Sequence, residues 1–456
     1  MMHKEIPVFL LAIILLASCD QKKVDVPINE VSVEAPFEMP MIKVPDFSDI
    51  QRFVITDFGA EEDDQQATTQ AIVAAISAAV EAGGGRIVIP AGEWPTGKIH
   101  LKSNINLHLE EGATLLFSED PKDYLPAVKT TWEGMECFNY SPLIYAFDCE
   151  NIAITGKGEL KAKMNTWKLW FARPKAHMES LKRLYNLAAK DVPVEERDFV
   201  NDSSNFRPQF IQFNRCEKVL LEGVKITNSP FWVIHPFMSK DVVIRDVQVF
   251  AHGHNNDGVD PEMSQNMLIE NCVFDQGDDA IAVKSGRNQD AWRLNMPTKN
   301  IVIRNSLVKN GHQLLAIGSE LSGGVENVYM ENCEVEEGAK LNHLLYVKTN
   351  ERRGGYVRNV HMKNIQCGKI DKGVLGIETD VLYQWRDLVP TYERRLTPIE
   401  NIYMENVRAA DVAFVSRIKA DPESPVEVVQ LKNIQVESVR DQKVINENVN
   451  GFSMKD

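Results

Sequence analysis

The sequence predicts an all-β fold, a parallel β-helix wound from stacked coils, and three observations lead to it. A short phrase, Asn-apolar-x-apolar-x-Asn, recurs along most of the chain, as in Asn266-Met267-Leu268-Ile269-Glu270-Asn271 and Asn300-Ile301-Val302-Ile303-Arg304-Asn305. Copies beginning at Asp241, Asn266, Asn300, Asn327 and Asn359 follow one another at 25, 34, 27 and 32 residues, the spacing of a solenoid repeat. A single amphipathic helix precedes them, where an open-ended tube needs a lid. Each unit holds alternating runs of strand length with Gly or Asn at its corners, and no unit buries its own apolar face, so the coils stack.

The elements follow in chain order. His3-Lys4 leads into an apolar run from Ile6 to Ala17, too short to span a bilayer and of the length of a secretory signal core. The stretch Leu16-Ala17-Ser18-Cys19 resembles the lipobox of bacterial lipoproteins. That likeness implies export and a lipid on Cys19, anchoring the protein to the membrane of the bacterial cell envelope, in the periplasm or at the outer surface. Residues 1–19 are then a signal peptide. Residues 20–50, rich in Pro, Val and Glu without periodicity, read as a tether, and 51–450 as the β-helix.

From Ala67 to Ala82 the apolar residues fall at helical spacing and stop at Gly83-Gly84-Gly85, which predicts the capping helix. A partly helical insertion at about 161–205 interrupts the repeat and is expected to project as a wall or lid. Further copies of the phrase begin at Asn401 and near Val428. Asn suits the corners because it tolerates left-handed backbone angles and its amide reaches the next rung. Cys272, Cys333 and Cys367 fall at similar points in their units and are expected to stack inside the tube as small apolar residues.

Composition narrows the function. The net charge of −15 argues against a nucleic-acid partner, which needs a basic face. Seven cysteines without a CxxC pair make neither a disulfide scaffold nor a zinc site, and no metal or cofactor is expected. Against this background two acidic phrases stand out, Asn255-Asn256-Asp257-Gly258-Val259-Asp260 and Gln276-Gly277-Asp278-Asp279-Ala280. They lie about one coil apart, so Asp257 is expected beside Asp278 and Asp279 at a rung spacing of roughly 4.8 Å. Carboxylates so close repel, and at least one keeps its proton near neutral pH, the condition for a general acid beside a general base.

The following coils add His312, Tyr346, Lys348, Arg352 and Arg353, and Lys284 and Arg287 follow the Asp pair directly. Cations gathered around carboxylates in an acidic protein point to an anionic substrate.

The succession Asn255-x-Asp257, Gly277-Asp278-Asp279, Gly311-His312 and Lys348 resembles the motif series of glycoside hydrolase family 28, the polygalacturonases and related pectin hydrolases. The resemblance begins at Asp57-Phe58-Gly59-Ala60 and includes Asn228-Ser229-Pro230-Phe231-Trp232. It implies a right-handed parallel β-helix and an inverting hydrolase of α-linked galacturonate in pectin-derived polysaccharides or oligosaccharides, exo-acting if the insertion closes one end of the groove. By the same likeness Asp278 is the general acid, Asp257 and Asp279 activate water, His312 flanks the acid and Lys348 binds a uronate carboxylate. Two positions depart from the family: Gln313 stands for the second glycine of Gly-His-Gly, and Tyr346 for the arginine of Arg-x-Lys. Arg352 or Arg353 is a candidate to replace that arginine, and Trp232, His235 and Trp292 are candidates for sugar stacking or subsites. A polyuronate lyase and a non-catalytic glycan-binding β-helix are the competing readings.

Overall fold

A computed structural model describes residues 25–200, 203–381 and 393–455; the signal and lipobox expectations lie outside these residues. The chain forms a right-handed parallel β-helix, with parallel sheets of 20, 6 and 4 strands among the described residues. Rung follows rung in strict register: Ile152, Val219, Val242, Met267, Ile301, Val328, Val360, Ile402 and Val429 stack in one column inside the tube. All are fully buried, so the recurring phrase is the sequence image of one apolar column repeated coil after coil.

The corners behave as their chemistry dictates. Asn266, Asn300 and Asn327 have φ of 57°, 60° and 58°, in the left-handed region. Their amides form a ladder: Asn266 donates to Asp241 at 3.0 Å, Asn300 to Asn266 at 3.0 Å and Asn327 to Asn300 at 2.9 Å. A second ladder runs through Asn332, Asn364, Asn406 and Asn433. Opposite charges alternate along an outer column, with Arg245 3.1 Å from Glu222, Arg304 2.8 Å from Glu270 and Lys432 2.7 Å from Glu405.

The capping helix spans Gln65–Glu81, with the Asp64 carboxylate accepting from the backbone N–H groups of Gln66 and Ala67. Ile72, Ala75, Ile76 and Ala79 bury against the first coil. Gly85 lets that helix approach closely, since a Cβ there would lie 2.6 Å from Phe53 and 2.7 Å from Ala79.

Three expectations need correction. Residues 25–50 are not a loose tether: Ile28–Val31 pairs antiparallel with Ile42–Pro45, and the segment straps the outside of the tube. Val26, Val33, Ile42, Val44 and Phe47 cover Ala153, Leu220, Val243, Leu268, Val302 and Tyr329, an apolar column that faces outward. The helical coils run on to the strand Val449–Lys455, past the expected limit of 450. Finally, Cys367 is not in the cysteine column: Cys333 pairs in register with Ile365, and Cys367 with Ala409 at a half-buried position. Two rungs below Cys333, Cys272 shares its column through Ser306, whose hydroxyl accepts from the Cys272 N–H.

The insertion carries helices Asn165–Leu169 and Lys175–Ala189. It packs on an antiparallel hairpin, Val128–Trp132 with Met135–Asn139, that the sequence reading did not anticipate. Leu181, Leu184 and Tyr185 meet Trp132, Met135, Phe206 and Phe231 in a core of their own. The buried Arg197–Asp290 pair, 2.7 Å apart, ties this assembly to the tube.

Candidate active site

A cavity of ≈ 660 Å³ opens on one face of the tube, beside the hairpin. Its floor is made by successive rungs on which Val259, Ile281, Leu315, Leu345 and Leu375 stand in register. Asp257 and Asp279 precede the first two of these by the same two residues, so they occupy one column. The backbone confirms it: the Gly258 N–H donates to the Asp279 carbonyl at 3.0 Å, and the His312 N–H to the Asp278 carbonyl at 2.8 Å. Asp257, Asp278, Asp279 and His312 all line the cavity.

The three carboxylates differ in surroundings. Asp278 is the more exposed, its side chain 20% accessible, and His312 Nδ1 lies 2.9 Å from its Oδ1. Burial alone would raise its pKa, but the His312 hydrogen bond and nearby ammoniums hold it below the ordinary value. The same contact raises His312. Asp257 and Asp279 are buried, and burial pushes Asp257 up to about 7 and raises Asp279 despite their lysine partners. In the open cleft, protons therefore favour Asp257, Asp279 and the imidazole over Asp278. Bringing a negative charge near Asp278 and expelling water favour moving a proton onto it.

Cations meet these acids. Lys348 Nζ lies 2.8 Å from Asp279 Oδ2. Lys284 is buried at 3.3 Å from Asp257, 3.4 Å from Asp260 and 3.4 Å from Glu320, with the Trp232 ring 4.6 Å away. Arg287 pairs with Glu320 and lies 3.1 Å from Glu133 at the hairpin tip. One oxygen or nitrogen atom from each of Asp278, Asp279 and His312 lies within 4.8 Å of the others, close enough for one water to bridge them.

Other expected residues fall into two groups. Asn255, Tyr346, Lys284, Arg287 and Trp232 line the cavity. Asn255 is held by Arg207, whose guanidinium donates to its Oδ1 at 2.9 Å and to the His254 carbonyl at 2.6 Å. Tyr346 stacks on His343 at 4.4 Å, and His343 Nδ1–H in turn donates to Gln313 Oε1 at 2.8 Å. The two departures from the family pattern thus meet in one packed unit. Trp232 is 2% exposed and stacked on Phe231, so it is a wall of the cleft and not an open sugar platform.

His235, Arg352 and Arg353 do not line the cavity. His235 is fully buried beneath it, bonded to Gln212 and Glu262, because its strand turns it toward a polar seam between rungs. Arg353 is buried and spent on the Ser319 carbonyl and Asn288, which lock its loop. Arg352 lies in that same loop, where its N–H bonds to Asn350. Trp292 carries Arg395 over its ring at 3.7 Å and donates to the Arg353 carbonyl, away from the cleft.

Several cleft residues escaped the sequence reading. Glu133 sits at a hairpin turn where it and Gly134 have φ of 44° and 83°, the two-residue turn that Glu-Gly favours weakly enough to be overlooked. Arg173 comes from the insertion and reaches His254 at 3.1 Å. Asp260, named in the acidic phrase but given no role, is fully buried with neither carboxylate oxygen hydrogen-bonded among the described residues.

Residues 196–454 match the model of glycosyl hydrolases family 28. The chain belongs to that family. Its fold superimposes on the hyperthermoactive exopolygalacturonase of Thermotoga maritima with a TM-score of 0.83, at 37% identity over 91% of this chain and 92% of that one. It is 31% identical over 273 residues to the exo-poly-alpha-D-galacturonosidase of Dickeya chrysanthemi, covering 55% of this chain and 44% of that protein. A protein of Vitis vinifera described as a probable polygalacturonase is 27% identical over 371 residues, 78% of this chain and 67% of the relative. The chain thus spans less than half of the Dickeya protein and about two thirds of the grape one. The family 28 motif series lines a single cleft, on one face of the solenoid.

Proposed function

We propose that this family 28 protein hydrolyses α-linked galacturonate in pectin-derived chains, removing sugar from a chain end with inversion. The observation that carries the reading is the convergence of Asp257, Asp278, Asp279 and His312 in a cleft whose positive charge comes from Lys348 and Lys284. Asp278, the carboxyl most open to the cleft, protonates the leaving oxygen. Asp257 and Asp279 hold the attacking water and accept its proton. The hairpin tip at Glu133 and the insertion residue Arg173 stand across one side of the cleft, which favours action at a chain end. The names of the Thermotoga and Dickeya relatives agree with exo action. Incubation with defined galacturonate oligosaccharides tests the reading: mono-galacturonate released from one end as the inverted anomer supports it. An unsaturated, ultraviolet-absorbing product would establish elimination and refute it.

The sequence Leu16-Ala17-Ser18-Cys19 supports a second part of the reading, a lipid on Cys19 that holds the enzyme to the cell envelope. Membrane fractionation of the full chain against Cys19→Ala tests it; equal release of both into the soluble fraction overturns it.

A further inference from the structure

We infer that Lys372 is a specificity residue, binding the carboxylate of the uronate adjacent to the one being cleaved. The inference deepens the hydrolase reading and rests on it.

Among the described residues, five Lys and Arg side chains line the cleft: Arg173, Lys284, Arg287, Lys348 and Lys372. The first four have anionic partners, Arg173 and Arg287 at Glu133, Lys284 at three carboxylates, and Lys348 at Asp279. Lys372 is exposed, and among the described residues its side chain makes no ion pair or hydrogen bond. Of these five it is the cation left to meet a ligand.

Its position is fixed by backbone register. The His312 N–H donates to the Asp278 carbonyl, the Asn342 N–H to that of His312, and the Lys372 N–H to that of Asn342 at 3.0 Å. Asp278, His312, Asn342 and Lys372 therefore stand in one column along the cleft wall. Three rungs separate Lys372 from Asp278, about 14 Å of axis at the strand spacing. Extended back along the axis, the flexible four-carbon lysine stem covers part of that distance, which keeps the ammonium off the reacting sugar and brings it to the next one.

The charges around it are consistent with that role. Lys372 lies close enough to His343 for its charge to help keep that ring neutral, after burial, and His343 stacks on Tyr346. Positive charge that Tyr346 does not supply thus returns from the following coil. Lys348 shares this end of the cleft but is engaged by Asp279. Glu378 also lines this end, but it closes the same strand on the far side of the floor, in register between Lys348 and Lys419. Asp380 lies beyond it.

Steady-state kinetics of wild type, Lys372→Ala, Lys372→Arg and Lys372→Glu on tri-galacturonate and on an aryl mono-galacturonide test the inference. Lys372→Ala is expected to raise KM for the trimer about tenfold with kcat within about twofold, the loss expected of one charge-assisted contact. Lys372→Arg restores KM, Lys372→Glu worsens it, and added salt narrows the gap. The aryl substrate, lacking a neighbouring uronate, keeps its KM. An unchanged KM for the trimer in Lys372→Ala, or equal losses on both substrates, overturns the assignment. Wild type that releases no sugar from the trimer refutes the hydrolase reading instead.

Discussion

His312 Nδ1 sits 2.9 Å from Asp278 Oδ1, and the two residues occupy adjacent rungs joined by a backbone hydrogen bond of 2.8 Å. The pairing is therefore built into the winding of the tube. It lowers Asp278 and raises His312, making the carboxyl a stronger acid once it carries a proton. Replacing His312 with Ala removes the hydrogen bond, so Asp278 keeps its proton to higher pH and protonates the leaving group less readily. The alkaline limb of kcat/KM should move up in pH, and kcat should fall about 10- to 100-fold. A pH–rate profile of the variant against wild type checks both.

Asp278→Asn removes the proposed acid while preserving shape. Turnover of galacturonate oligosaccharides should drop by at least about 10³-fold, with melting temperature within a few degrees of wild type. Measured reducing-sugar release and a thermal scan on the same preparation decide it.

Asp257 carries a pH signature in stability. Its pKa in the folded protein is pushed up to about 7 by burial, from 3.8 in the ordinary carboxyl. The folded state thus holds a proton that the unfolded state has lost between those values. Its contribution is full below about pH 4 and is lost as pH rises through about 7. Asp257→Asn should flatten the decline in melting temperature between about pH 4 and 7, which calorimetry at stepped pH reads directly.

Val428 departs from the corner chemistry. It stands in register with Asn401, yet it is β-branched and has φ of 56°. Left-handed backbone costs such a residue roughly 1–2 kcal/mol, which Asn tolerates better. Val428→Asn should stabilise the protein by about 1 kcal/mol and extend the amide ladder. Denaturant midpoints against wild type provide the check.

The strap of residues 25–50 covers the outward apolar column from Ala153 to Tyr329. A chain beginning at residue 51 should lose several kcal/mol, since at least five apolar side chains would leave that cover, each worth roughly 1.5–3 kcal/mol at full burial. It should also bind a hydrophobic dye that the longer chain does not. Equal melting temperatures and no dye signal would show the strap dispensable.

The sequence alone determined the solenoid, because a β-helix repeats one local rule: apolar residues at alternate positions, an Asn at most corners, and a return to the same phrase every 25 to 34 residues. It also determined which acids meet, since Asp257 and Asp278-Asp279 are one coil apart and coil spacing is set by backbone hydrogen bonds. A signal for the strap was present but unread: Leu220, Val243, Leu268 and Val302 point outward, where a solvated column would be polar. Only the tertiary structure decided which cations serve the cleft. Arg353 looked available in sequence and is buried in its loop, whereas Lys372 drew no notice and faces the cavity. Glu133 likewise arrives from a hairpin distant in sequence. The physical reason is one of range: rung order follows from local periodicity, but the path of an inserted segment and the ion pairs each charge finds are set by long-range packing.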